Sequence, residues 1–236
     1  MRDLLTDPAW QKKDLGLPLP ESDHAVSVAL PLWEHVVGYE EGDPKVIEQL
    51  ACGYPRFVVH PTVQRLFDVA AAEFAGKDEQ AVVMPSSAAA ERFANYVRRE
   101  HEARVESWKD GLHVVLYSEA AEEVARNCWR FCGEVVSSRR AEATLRDKSQ
   151  EVGNANLELR NELARLTNQN ANDVFLFPSG IAAIYAAQRL ATRLHPDRKT
   201  AQVEFPYVDV LKIQEQFGAG EVFLPNCEAG GVPGVQ

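Results

Sequence analysis

The sequence predicts an α/β protein, a mostly parallel sheet covered by helices, preceded by an irregular N-terminal arm. From about residue 80 onward, short β-branched runs alternate with longer helical stretches, the rhythm of βαβ units. Residues 1–63 lack that rhythm and are punctuated by proline and glycine. At 236 residues with 45% hydrophobic content, the chain can bury one good core and carry an extended arm.

The arm is broken at Leu17-Pro18-Leu19-Pro20, Pro31, Gly42-Asp43-Pro44 and Gly53-Tyr54-Pro55, with one short helix expected near Pro44. Such a segment cannot form its own core and is expected to lie on another surface, such as a neighbouring subunit. A helix is expected from His60 to a stop at Gly76, with Val63, Leu66, Phe67, Ala70 and Phe74 on one face. Strands are expected at 81–84, 112–117, 174–177, 201–205 and 221–224. Cys128 and Cys132 are four apart, which puts both on one helix face beside Trp129 and Phe131. Residues 139–169 read as a polar amphipathic cover helix, interrupted near Gly153.

The stretch from Asp173 to Ile184 reads as a buried strand that delivers Ser179-Gly180 into a helix start. Unpaired backbone N–H groups and the positive helix end make such a joint favourable for an anion by roughly 0.3–1 kcal/mol when exposed. Gly180 lets a ligand approach the main chain. Many strand-to-helix joints carry Ser-Gly and bind nothing, so both readings stand at this level. A second joint, Val83 to Ala90, echoes the first but has Ser87 where the first has glycine. There Ser86 is expected to serve as a helix cap.

Composition narrows the partners. A formal net charge of −10 argues against nucleic acid, whose binding rests on clustered Lys and Arg, and favours small molecules and other protein chains. The four cysteines are too few and scattered for a disulfide framework or an all-cysteine zinc site. The six histidines lack metal-ligand spacing. No apolar run approaches the ~20 residues of a membrane span, and the acidic start lacks the character of a signal peptide. A cytoplasmic protein with no membrane partner is expected.

Three segments together resemble the pyridoxal-phosphate enzymes of cysteine and methionine metabolism, in the cystathionine γ-synthase or O-succinylhomoserine (thiol)-lyase branch. They are Tyr54-Pro55-Arg56 followed by Pro61-Thr62, then Ser179-Gly180-Ile181, then Phe205-Pro206-Tyr207. The arm from His24 to Pro31 and on through Gly42 is also similar to the extended N-terminal segment of fungal and some bacterial members. The resemblance implies a three-layer αβα fold of pyridoxal-phosphate fold type I, with residues 64–236 as the first part of the large domain. It implies that residues 1–63 reach a neighbouring subunit in a homodimer or homotetramer, and that the substrate is a small amino acid.

The resemblance also implies site roles. Tyr54 and Arg56 would reach the cofactor phosphate of the neighbouring subunit, a task that suits the guanidinium fork, whose charged hydrogen bonds are worth about 1.5–3 kcal/mol each. His60-Pro61-Thr62 stands in for the family's Asn-Pro-Thr, one residue further along. Ser179, Gly180 and Ile181 match the family's Ser-Gly-Met turn, whose main-chain N–H groups bind the same phosphate, and Tyr207 falls where an aromatic ring stacks on the pyridine.

The family also needs a Schiff-base lysine, and no lysine here has its Ser-x-Thr-Lys context. The expectation is therefore an N-terminal fragment, inactive by itself, of an enzyme that replaces the acyl group of an O-acylated homoserine with a thiol such as cysteine. The alternative is a non-catalytic binding or interaction protein that keeps the fold.

Overall fold

A computed structural model of the chain describes residues 2–54, 57–148, 153–204 and 207–225. These form two compact units: Met1–Glu123 with Val135–Gln150, and Val124–Glu134 with Glu151–Gln236. The chain is a mixed α/β protein. No helix among the described residues is long and apolar enough to cross a membrane.

The first unit opens with a two-residue antiparallel ladder, β1 (Pro18–Leu19) on β2 (Ser27–Val28), followed by α1 (Trp33–Glu41) and α2 (Pro44–Ile47). Helix α1 stops at Gly42, which takes the left-handed φ of +72° that only glycine adopts without strain. Asp43 caps α2, with Pro44 at its first position, as the arm's punctuation predicts. The arm is more ordered than expected: α1 was not foreseen, and Ala25, Ala29, Val46 and Cys52 are buried.

Helix α3 (Pro61–Phe74) forms where the sequence places it, burying Val63, Leu66, Phe67 and Ala70. His60 opens it by accepting the Thr62 N–H at Nδ1. It packs on a three-stranded sheet of β3 (Glu79–Met84), β4 (Ala103–Ser107) and β5 (His113–Ser118), joined by α4 (Ser87–Val97). Ser86 caps α4 by accepting the Ala89 N–H at 3.3 Å.

The sheet corrects the expectation of a mostly parallel arrangement. β5 is central, and both β3 and β4 run antiparallel to it, with Val82 opposite Val115 and Val105 opposite the same residue on the other side. Val114, Val115 and Leu116 are fully buried, as a central strand covered on both faces requires. Strand β4 escapes recognition in the sequence because Arg104 and Glu106 charge it. On an exposed edge those charges suit the strand, and Arg104 binds Glu79 at 2.9 Å and Glu106 at 2.8 Å.

Two further helices follow in the chain: α5 (Glu122–Cys132), and α6 (Ser138–Leu145), which packs on α3. The helix face read from Cys128 and Cys132 is real: both cysteines, Trp129 and Phe131 are buried.

The second unit takes most of α5 and adds α7 (Ala155–Thr167), α8 (Gly180–Leu194), β6 (Thr200–Val203), α9 (Val208–Phe217) and β7 (Glu221–Leu224). The polar stretch 139–169 holds two described helices, α6 and α7, one on each side of the interruption read near Gly153; residues 149–152 lie outside the described residues. β6 and β7 are parallel, from Thr200 opposite Glu221 to Val203 opposite Leu224, so the parallel expectation holds here. Helix α8 packs on α9 through Tyr185 and Phe217, whose rings meet edge-on with centroids 4.7 Å apart. Burial raises the Tyr185 phenol well above its ordinary pKa, so it stays protonated.

The expected strand at 174–177 does not form. Val174 is extended, but Phe175 is 75% exposed, and no described strand lies beside the segment to take its backbone N–H and C=O groups.

Candidate functional site

The first turn of α8 is built from Ser179, Gly180 and Ile181, the three adjacent residues singled out in the sequence. Ser179 is the N-cap, with extended φ of −155° and ψ of 161°. Its Oγ accepts the Ala182 N–H at 3.2 Å and donates to the Gly133 carbonyl at 3.1 Å. The Ala183 N–H bonds the Ser179 carbonyl at 3.2 Å. This leaves the amides of Gly180 and Ile181 without an acceptor among the described residues.

Around Gly180 there is space: a Cβ built there would meet nothing within 4 Å. Ile181 turns inward and is 7% exposed, toward Gly133. The turn therefore has an anchored cap, an open main chain and two donors at the positive end of a helix 15 residues long.

The joint at Ser86 is arranged differently. Pro85 O accepts Nη1 of Arg140 at 3.0 Å, while Nη2 of Arg140 reaches Asp110 O at 2.9 Å. Ser86 does act as a cap, and Arg140 ties down the carbonyl before it.

Comparison with known proteins shows what the chain is similar to. Residues 62–137 match the family model of the fungal trans-sulfuration enzyme N-terminal domain. The chain is 35% identical to the cystathionine γ-synthase of Neurospora crassa over 157 residues, 55% of this chain and 25% of that protein. It is 31% identical to the cystathionine γ-synthase of Saccharomyces cerevisiae over 147 residues, 54% of this chain and 23% of that protein. It is 30% identical to the cystathionine γ-synthase-like protein ankD of Aspergillus thermomutatus over 248 residues, 82% of this chain and 44% of that protein. Over these stretches the chain is similar to the fungal trans-sulfuration enzymes and the cystathionine γ-synthases.

The chain spans less than half the length of each of these relatives. No solved structure matches it significantly.

The other family positions are distributed as follows. Tyr54 lies in the first unit and is 54% exposed. Arg56 lies outside the described residues. Tyr207 directly precedes α9 in the second unit, also 54% exposed. Thus Ser179, Gly180 and Ile181 form one local cluster, and Tyr207 stands at the head of the helix that packs on theirs.

Sequence reasoning missed Gly133. It follows the last residue of α5 with a left-handed φ of +61° and lies against the turn at Ser179. The one available signal was a glycine just past an amphipathic run, which marks a helix end but does not reveal what it touches.

Near the start of α3, His60 is buried and stacks with His24 at a centroid distance of 6.5 Å. His24 in turn lies 3.1 Å from Ser138 Oγ through Nδ1 and 3.2 Å from Glu142 through Nε2, which fixes the arm to α6. Burial lowers the His60 pKa below the ordinary imidazole value.

Proposed function

We propose that the chain grips pyridoxal 5′-phosphate and contributes this grip to a trans-sulfuration enzyme. The complete protein would replace the acyl group of an O-acylated homoserine at Cγ with a thiol such as cysteine. The observation that carries this reading is the first turn of α8, where Gly180 and Ile181 offer two amide donors on open main chain in a chain similar to the cystathionine γ-synthases.

The residues fit the group. A phosphate monoester matches two converging N–H groups and a helix dipole, and bare glycine allows its oxygens to approach the backbone. The Gly180 and Ile181 amides would hold the phosphate, Tyr54 and Arg56 from a neighbouring subunit would close over it, and the Tyr207 ring would lie on the pyridine face. The cofactor supplies the electron sink for carbanion chemistry. This chain's residues bind and orient it; the lysine that tethers it is not assigned to them. Lys212 and Lys109 are committed to Glu215 and Asp147.

On this reading residues 64–236 are the first part of the large domain of a three-layer αβα fold, fold type I, with residues 1–63 as an arm to a neighbouring subunit. A homodimer or homotetramer in the cytoplasm follows.

The test is a titration of the full chain with pyridoxal 5′-phosphate, read by visible absorbance before and after borohydride. Saturable binding that Arg56→Ala weakens by roughly tenfold or more, the scale of one charged hydrogen bond, supports the reading. No binding overturns it. In the complete protein, where the enzyme reading places the tethering lysine, a bound chromophore that borohydride fails to trap favours a non-catalytic binding protein.

A further inference from the structure

We infer that Gly133 is the positioning residue of the cofactor turn, acting through Ser179 to present the amides of Gly180 and Ile181. This rests on the pyridoxal-phosphate reading above and adds a residue from a distant helix end to that site.

Three observations converge on Gly133. Its φ of +61° is a left-handed conformation that suits glycine and strains other residues. A Cβ built there would collide with Cγ2 of Ile181 and would stand 2.8 Å from Ser179 Oγ and 2.9 Å from Ala182 N. All three of these atoms belong to the first turn of α8. Finally, the Gly133 carbonyl accepts the Ser179 hydroxyl at 3.1 Å across 46 residues of sequence.

A consequence follows for Ser179. A serine hydroxyl has one proton, and here the proton goes to Gly133 O, so the oxygen's lone pairs face the other way and accept the Ala182 N–H. The hydroxyl is committed within the protein, and the phosphate is left to the two amides. The same bond covers a carbonyl at the negative end of α5, which would otherwise present partial negative charge close to an anion in this turn. The missing side chain sets the distance between α5 and α8; the carbonyl sets the rotation of the cap.

The experiment compares two ligands that differ only in the phosphate, pyridoxal 5′-phosphate and pyridoxal, by titration of the full chain. Circular dichroism checks that each variant is folded. The native chain is expected to prefer the phosphorylated ligand; equal affinity for the two would overturn the phosphate reading itself, and this inference with it.

Given that preference, Gly133→Ala is expected to reduce it roughly tenfold or more, on the scale of one charge-assisted hydrogen bond. Ser179→Ala leaves the backbone room unchanged and therefore folds even if Gly133→Ala does not. It is expected to lose the preference to a similar degree, and the double variant to lose no more than the worse single one. A folded Gly133→Ala or Ser179→Ala chain that keeps the native preference overturns the inference. So does a Gly133→Ala chain that weakens both ligands equally, because that is the mark of a purely structural glycine.

Discussion

His60 accepts the backbone N–H of Thr62 at its Nδ1, at 3.2 Å, so a ring only 5% exposed opens α3 in its unprotonated form. The bond caps a helix whose apolar face packs on the first sheet, and it ties the stability of that region to one proton.

The groups facing the ring are Asp23 and His24 from the arm and Arg65 from α3. Burial is the largest influence, and it lowers the folded pKa below the unfolded value of about 6.5. The unfolded chain therefore takes up this proton first. The stabilisation is complete above about pH 6.5 and is lost as pH falls through that value toward the lower folded pKa. His60→Asn keeps a capping acceptor and removes the titration. Its urea midpoint is expected to fall less than the native one between about pH 7 and pH 5. A native slope in the variant would mean that His60 does not carry this dependence.

Ser86→Ala removes the acceptor for the Ala89 N–H at the start of α4. The loss is expected to be about 1 kcal/mol, as for other N-caps, seen as a lower urea midpoint with unchanged denaturant dependence. Binding of pyridoxal 5′-phosphate should be unaffected, because this joint is not the proposed cradle. A parallel drop in cofactor affinity would assign the wrong joint.

Phe93 on α4 is 1% exposed and lies 6.4 Å from the Tyr117 ring on β5. Phe93→Ala leaves a void between a helix and the central strand and is expected to cost about 3–5 kcal/mol, measured by denaturant unfolding. By contrast, Arg104→Ala removes exposed pairs with Glu79 and Glu106, and the expected loss is below about 1 kcal/mol.

Tyr207 is half-exposed at the head of α9. If its ring stacks on the cofactor, Tyr207→Phe should retain pyridoxal 5′-phosphate while Tyr207→Ala weakens it by roughly fivefold to tenfold, the worth of about 1 kcal/mol of ring contact. Equal affinity in all three chains would remove Tyr207 from the site.

What the sequence alone determined is what local chemistry decides. The start of α3 at His60, the Ser86 cap, the helix start at Ser179-Gly180, and the buried face of Cys128, Trp129, Phe131 and Cys132 depend on residues within one or two helical turns of each other. The tertiary structure decided how strands pair, since a ladder needs a partner brought from far along the chain. That is why charged β4 forms beside β5, why the first sheet is antiparallel, and why the apolar run at Val174–Phe177 stays unpaired. It also decided Gly133: nothing near that glycine says that its absent side chain makes room for Ile181 and Ser179, because the clash exists only once two helices meet.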